Sequence, residues 1–337
     1  MKKGLLFTAC LALLLFSFTK NPFAEIPSEE TIDKINSKEN KAVTLSVENI
    51  IDASVFVNDK QLYQEKWHEL PQPKFWRKVI RLSPEYCIVN VATNRQILSE
   101  IPTNYYMDKT RFARDAFKDS VIIANNLPRN TPIYVTSGKN HYYKFENTLD
   151  AIPKAVEIFE QLNVDPWFAQ AILLIESPNK LQKSSTGAYG PFQLMRGIAR
   201  MYGLEVNRYK DDRRYLDKSA TAAAKFIKSV CIPETEKILI NKRINYTKDQ
   251  LWFKLLVLHV YHAGAGNVSS AVSIMPPVKN GQEFIKTLWQ TESRGFRNAS
   301  QNYSQIALAA LIELDEILKP YQPLELKTIP PVLIGNE

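Results

Sequence analysis

Glycine is scarce in this chain, with 11 residues in 337, and histidine and cysteine are rarer still, at four and three. No glycine-rich loop of the phosphate-binding type is present, and no glycine-flanked serine elbow, which argues against nucleotide chemistry and the common serine hydrolases. His259 and His262 share one helical face, but no third ligand stands near them in sequence. A metal site is therefore not expected, and no cofactor is implied. No run combines arginines with interleaved aromatics, so nucleic acid is not an expected partner. Fixed-period repeats and low-complexity tracts are also missing. The one long apolar run, Gly4 to Phe18, is too short for an ordinary membrane-spanning helix.

That run has the form of an export signal. Lys2 and Lys3 precede it, and Ala24 offers a small residue at which cleavage can occur, although Pro22 is poorly placed for it and leaves an uncleaved anchor as the alternative. Cys10 lies inside the run instead of after it, which argues against lipidation. Removal of residues 1–24 would lower the formal charge from +8 to +5, still basic. Such a surface suits association with an anionic polymer, while a diffuse excess of lysine also serves as a plain solvated face. Cys87 and Cys231 would remain, able to pair in an oxidising compartment but falling in different expected domains.

The chemistry concentrates around Glu176. In Asp165-Pro166-Trp167-Phe168-Ala169-Gln170-Ala171-Ile172-Leu173-Leu174-Ile175-Glu176-Ser177-Pro178, Asp165 predicts an N-cap, Pro166 the first turn, and Pro178 a stop. Glu176 then occupies the last turn of an apolar helix, where the partial negative charge of the helix end and buried neighbours both raise a carboxyl pKa. A carboxyl kept protonated near neutral pH can act as a general acid in glycoside cleavage. The alternative is a structural glutamate paired with a nearby cation. A turn follows, Ser184-Ser185-Thr186-Gly187-Ala188-Tyr189-Gly190, leading through Pro191-Phe192-Gln193-Leu194-Met195 into a helix that ends at Gly203. Further on, Tyr261-His262-Ala263-Gly264-Ala265-Gly266 closes another apolar helix.

These three pieces, in this order, resemble the lytic transglycosylases of the soluble (Slt) type, most closely the membrane-bound lytic transglycosylase D branch. Glu176-Ser177 resembles the family's catalytic Glu-Ser, and Ser184 with Gly187-Ala188 and Gly190 its Ser-x-x-Gly-Ala-x-Gly turn. Gln193 and Met195 fall at its Gln-x-Met. Met201-Tyr202-Gly203-Leu204, Asp212-Arg213-Arg214 and Ser219 to Lys225 are similar to later segments of the D branch, Tyr261 opens the Tyr-x-Ala-Gly-x-Gly piece, and Tyr303 corresponds to the late active-site tyrosine. Departures include His262 in place of the usual Asn and a spacing from Glu176 to Ser184 one residue shorter than usual. The resemblance implies that Glu176 is catalytic, that Ser184 and Tyr261 position it or the sugar, that Gln193 and Met195 line the cleft, and that Tyr303 contacts substrate. It implies a peptidoglycan lytic transglycosylase that cuts between N-acetylmuramic acid and N-acetylglucosamine and leaves 1,6-anhydro ends, with glycan strands as partner and the periplasm or cell envelope as location. A lysozyme- or chitinase-like hydrolase on the same fold, and a silent glycan-binding scaffold, are the alternatives.

The expected architecture is mainly α: a signal at 1–24, a mobile lead-in at 25–42, a mixed α/β N-terminal domain of unknown role at 43–147, a lysozyme-like helical domain at 148–320, and a proline-rich tail at 321–337. Within 43–147, helices are expected between Asn104 and Asn126, with a hairpin of Ile133–Thr136 and His141–Phe145 about Ser137-Gly138-Lys139-Asn140. Trp67, Phe75, Trp76 and Tyr86 read as core aromatics. Leu149, Ile152, Val156, Phe159 and Leu162 recur at helical spacing, Ser219 reads as a cap, and Thr247 to Gln250 as a capping box.

Overall fold

The computed structural model describes residues 52–176, 183–293 and 295–321. The leader, the lead-in and residues 322–337 lie outside them. The N-terminal part opens with helix α1 (Lys60–Gln64), capped by the Asp59 carboxylate, and α2 (Pro71–Arg81), which starts on proline and buries Phe75, Trp76, Val79 and Ile80 at three- and four-residue spacing. Strands β1 (Tyr86–Val91) and β2 (Ile97–Pro102) form an antiparallel hairpin. Helices α3 (Thr103–Met107) and α4 (Arg111–Ala124) follow, then strand β3 (Ile133–Ser137).

The three strands are ordered β2-β1-β3, with Cys87 opposite Ser137 and Val91 opposite Ile133. β1 is apolar on both faces because both are covered. Ile88 belongs to the main core, whereas Val89 and Val91 pack with Ile122 of α4 and Ile133 in a smaller cluster. The hairpin expected around residues 137–140 is not formed. β3 pairs with β1 instead, and the chain beyond it docks on the end of α2: Gly138 N donates to Tyr86 O, Lys139 N to Val79 O and Asn140 N to Leu82 O. A Cβ at Gly138 would lie 2.3 Å from the Ser83 carbonyl oxygen, so only glycine permits this approach.

From residue 151 the chain is helical: α5 (Ala151–Gln161), α6 (Trp167–Glu176), α7 (Arg196–Met201), α8 (Leu216–Phe226), α9 (Ile232–Asn241), α10 (Leu251–Ala263), α11 (Ala265–Ile274), α12 (Gly281–Gln290) and α13 (Asn298–Leu318). In α6 the Asp165 carboxylate accepts from Trp167 N at 2.9 Å, and every residue from Trp167 to Ile175 is buried, the pattern of a central helix enclosed on all sides. Two expected caps differ. Ser219 lies inside α8, buried, while Tyr215 precedes that helix. Gln250 caps α10, its side chain returning to Thr247 N at 3.1 Å, so only the reciprocal half of the capping box forms.

The boundary expected near residue 147 runs through a shared core. Trp67 and Phe75 join Ile152, Phe159, Trp167, Leu255 and Leu308 in one cluster, and all described residues belong to one compact unit beginning at Ile51. Polar ties reinforce it: the Gln170 side chain pairs with both the N–H and the carbonyl of Val57, and Arg77 and Arg81 of α2 both bind Glu313 of α13. Trp67, Phe75 and Trp76 are core, as expected, but Tyr86 at the strand start is exposed. Cys87 and Cys231 are both buried and unpaired, so the considered disulfide is not formed. No helix among the described residues is long and apolar enough to cross a membrane.

Candidate active site

Glu176 ends α6 at the floor of a cavity of about 730 Å³. Its carboxyl is half-buried, and loss of hydration pushes its pKa up to about 7, which the Tyr303 hydroxyl partly opposes by donating to Oε1 at 2.7 Å. A carboxyl so placed exchanges a proton near neutral pH. It can therefore give a proton to one atom and take one from another within a single cycle. Tyr142 donates to the Glu176 backbone carbonyl at 3.3 Å, which holds the helix end itself.

Tyr303 is supplied by the first turns of α13 and is buried except at the cavity. His262, one residue past Tyr261 on α10, stacks on its ring with centroids 4.2 Å apart and planes 19° apart. That contact fixes the plane of the tyrosine whose hydroxyl meets the acid. His259 lies a turn earlier, buried, with Nε2 2.7 Å from Ser304 Oγ. Burial drives its pKa down to about 3, so it is a neutral packing residue. No group of histidine, cysteine, aspartate and glutamate among the described residues is arranged to hold a metal ion.

The residues expected to position Glu176 divide. Ser184 stabilises its own turn: its Oγ accepts from Ala188 N at 2.9 Å and its backbone pairs with Ala188 O. Tyr261 does not hold the carboxyl. Its hydroxyl donates to the Phe192 carbonyl at 2.6 Å, bracing the same turn, though it lies near enough for the charge of Glu176 to reach it. Gln193 sits at positive φ and donates its side-chain amide to Gly190 O at 3.0 Å, and Met195 is exposed beyond it. Of the six expected site residues, Glu176 and Tyr303 meet in the cavity, while Ser184, Gln193, Met195 and Tyr261 are not on its lining.

The turn has a clamp that sequence reasoning did not identify. Arg213, fully buried, donates Nη1 to the carbonyls of Gly187 and Leu194, both at 2.8 Å, and pairs with Asp211 at 2.7 Å. Asp212 instead pairs with Lys218 at 2.9 Å, so the two neighbouring aspartates have different cation partners. Gly190 approaches this arginine so closely that a Cβ would lie 1.8 Å from the Arg213 carbonyl, and its φ of +87° independently favours glycine. The glycine turn and the Asp-Arg-Arg segment are thus one construction.

Residues 156–279 match the Transglycosylase SLT domain. No curated protein matches the chain significantly. The SLT domain supports a glycosidase or lytic transglycosylase type of activity on a peptidoglycan-like substrate. Its matched stretch holds Glu176, the glycine turn, Arg213 and Tyr261. Tyr303 lies outside it, as do the cavity residues from the N-terminal region: Trp76, Arg95, Tyr106, Lys118, Lys139 and strand β3.

Proposed function

We propose that the protein is an exported peptidoglycan lytic transglycosylase, acting in the periplasm or cell envelope, that cleaves the β-1,4 bond between N-acetylmuramic acid and N-acetylglucosamine. Protonated Glu176 gives its proton to the bridging oxygen as the bond from the muramyl C1 to that oxygen breaks. The resulting carboxylate then takes the proton of the muramyl C6 hydroxyl as O6 bonds to C1. The ring closes as a 1,6-anhydro sugar, no water is consumed, and Glu176 regains its proton. A pKa of about 7 suits a group that must serve in both senses.

The observation that carries this reading is the solitude of Glu176. It is the only acid among the described residues lining the cavity. Inverting hydrolases need a second carboxylate to activate water, and retaining ones usually need a second as nucleophile. The acids that could have served lie off that lining: Asp211 pairs with Arg213, Asp212 with Lys218 and Glu292 with Arg297 on the surface, and Asp217 sits in the first turn of α8.

Digestion of purified sacculi followed by mass spectrometry tests the reading. The expected muropeptides are lighter by one water than lysozyme products and lack a reducing end. Ordinary reducing-end products would make the enzyme a hydrolase, and binding of sacculi without any release would make it a scaffold.

A further inference from the structure

The cavity carries opposite chemistry on its two sides. Glu176 is the only acid on its described lining, whereas the N-terminal side brings three cations, Arg95, Lys118 and Lys139. None of the three forms an ion pair with a carboxylate of the described residues.

Arg95 is the unusual member. Only 5% of it is exposed, a burial at which an arginine is ordinarily matched by an acid because desolvating an unpaired guanidinium is costly. Both hydrogen bonds of its side chain leave from Nη2, to Asn298 Oδ1 at 3.2 Å and Asn302 Oδ1 at 2.5 Å on α13. Nε is buried with no partner. The rings of Phe75, Trp76 and Tyr134 surround the guanidinium carbon at 5.4, 5.9 and 5.5 Å. The residue is also held at φ 62° in the turn joining β1 to β2, a left-handed conformation that a side chain other than glycine adopts at a cost. A mere tie between hairpin and α13 would be served by a neutral amide, without a buried positive charge.

We propose that Arg95, with Lys118 and Lys139, forms an anion subsite of the cleft that takes a carboxylate carried by the bound glycan polymer. The proposal rests on the glycan-cleaving reading above and deepens it. A carboxylate fits because it is charged and can accept from Nη1, a guanidinium nitrogen that α13 does not engage, and because the rings around Arg95 exclude the water that would screen the pair. On peptidoglycan that carboxylate has two sources, the stem peptides and the lactyl group of the muramyl ring, which is free only where the peptide has been removed.

The test measures binding in the Glu176→Gln background, so that no ligand is consumed, using the tryptophan fluorescence expected to report on Trp76. Three probes are compared: a neutral N-acetylglucosamine hexamer, peptide-free glycan strands bearing lactyl carboxylates, and peptide-bearing strands. Arg95→Gln is expected to weaken binding of a carboxylate-bearing strand about tenfold while the neutral hexamer changes less than about twofold. Lys118→Gln with Lys139→Gln should give about a threefold loss with the same selectivity, and added salt should narrow the gap between charged and neutral probes. Loss confined to peptide-bearing strands assigns the stem, and loss with peptide-free strands assigns the muramyl ring; either supports the subsite. Equal loss for charged and neutral probes, or none for either, would reduce Arg95 to a structural tie and overturn it. Should Arg95→Gln not fold, the double lysine variant carries the same comparison. Sacculi cut by wild-type protein with no preference for charged ligands overturn the subsite alone, whereas failure to bind any glycan removes the enzymatic reading and the subsite together.

Discussion

The two walls of the cavity are built by different rules. On the helical wall, Glu176 from α6, His262 from α10 and Tyr303 from α13 are side chains on packed helices, and each is fixed by a direct contact with another member of the set. On the other wall, β3, the hairpin turn with Arg95 and the Lys118 face of α4 present cations and strand edges with no acid between them. One wall holds a single proton near its neutral point, and the other holds fixed positive charge. The group that can exchange a proton and the fixed cations thus come from separate parts of the chain, joined by the Arg77 and Arg81 pairs with Glu313 and by one continuous core.

The hardest test of that separation is Glu176→Gln. The amide keeps the shape and can still meet Tyr303, but it cannot deliver a proton, so turnover should fall by about 10² to 10⁴. Binding of glycan strands should survive, because the opposite wall is untouched. Loss of binding in parallel with turnover would merge the two walls into one function, and near-normal turnover would remove Glu176 as the acid. Stability gives an independent check. A glutamate whose pKa is raised from 4.5 to about 7 keeps its proton in the folded protein while the unfolded chain loses it, so the wild type should lose stability as pH rises through that window. Glu176→Gln should lack that loss, as seen by urea denaturation at pH 5 and pH 8.

A smaller effect belongs to Tyr303. Its hydroxyl bond favours the charged form of Glu176 and so opposes the burial that raises the pKa. Tyr303→Phe should therefore move the pKa above 7 and carry the alkaline limb of the pH–rate profile upward with it. Turnover at the optimum should drop about tenfold as the carboxyl loses its orientation. Binding to the cationic wall should be unaffected. An unshifted limb would mean that the hydroxyl does not meet the acid during turnover.

How much of this was legible follows from where each signal sits. The start of α6 was readable to within a residue, because Asp165, Pro166 and the apolar run are local and the Asp165 carboxylate accepts from Trp167 N, while the expected stop at Pro178 lies outside the described residues. The rise in the Glu176 pKa was readable for the same reason. The partner of Glu176 was not, since Tyr261 and Tyr303 both fall in apolar helices and their hydroxyls are placed by how those helices cross, over a separation of 127 residues in the case of Tyr303. The hairpin misassignment has a similar origin: Gly138 looks like a turn residue, but its role is to let the chain pass against the Ser83 carbonyl. Arg95 gave no local signal, because the rings of Phe75 and Trp76 and the amides of Asn298 and Asn302 that surround it come from distant parts of the chain.

The smallest expected effect separates the two tyrosines. Sequence reasoning placed the Tyr261 hydroxyl on Glu176, and on that view Tyr261→Phe would slow turnover and leave stability alone. The structure reverses the expectation. The hydroxyl donates to the Phe192 carbonyl at 2.6 Å, inside the turn that Arg213 also clamps, and its removal leaves that carbonyl without a donor. A loss of about 1–2 kcal/mol in unfolding free energy is expected, from one hydrogen bond plus an acceptor left short of a partner. Turnover should fall less than in Tyr303→Phe, and the alkaline limb should stay near pH 7, because the bond that tunes Glu176 is intact. Urea denaturation and a pH–rate profile on the same preparation decide between the views. A folded variant of unchanged stability with a shifted limb would put the Tyr261 hydroxyl back on the carboxyl, and Tyr303 would lose its place as the residue that sets the proton affinity of the acid.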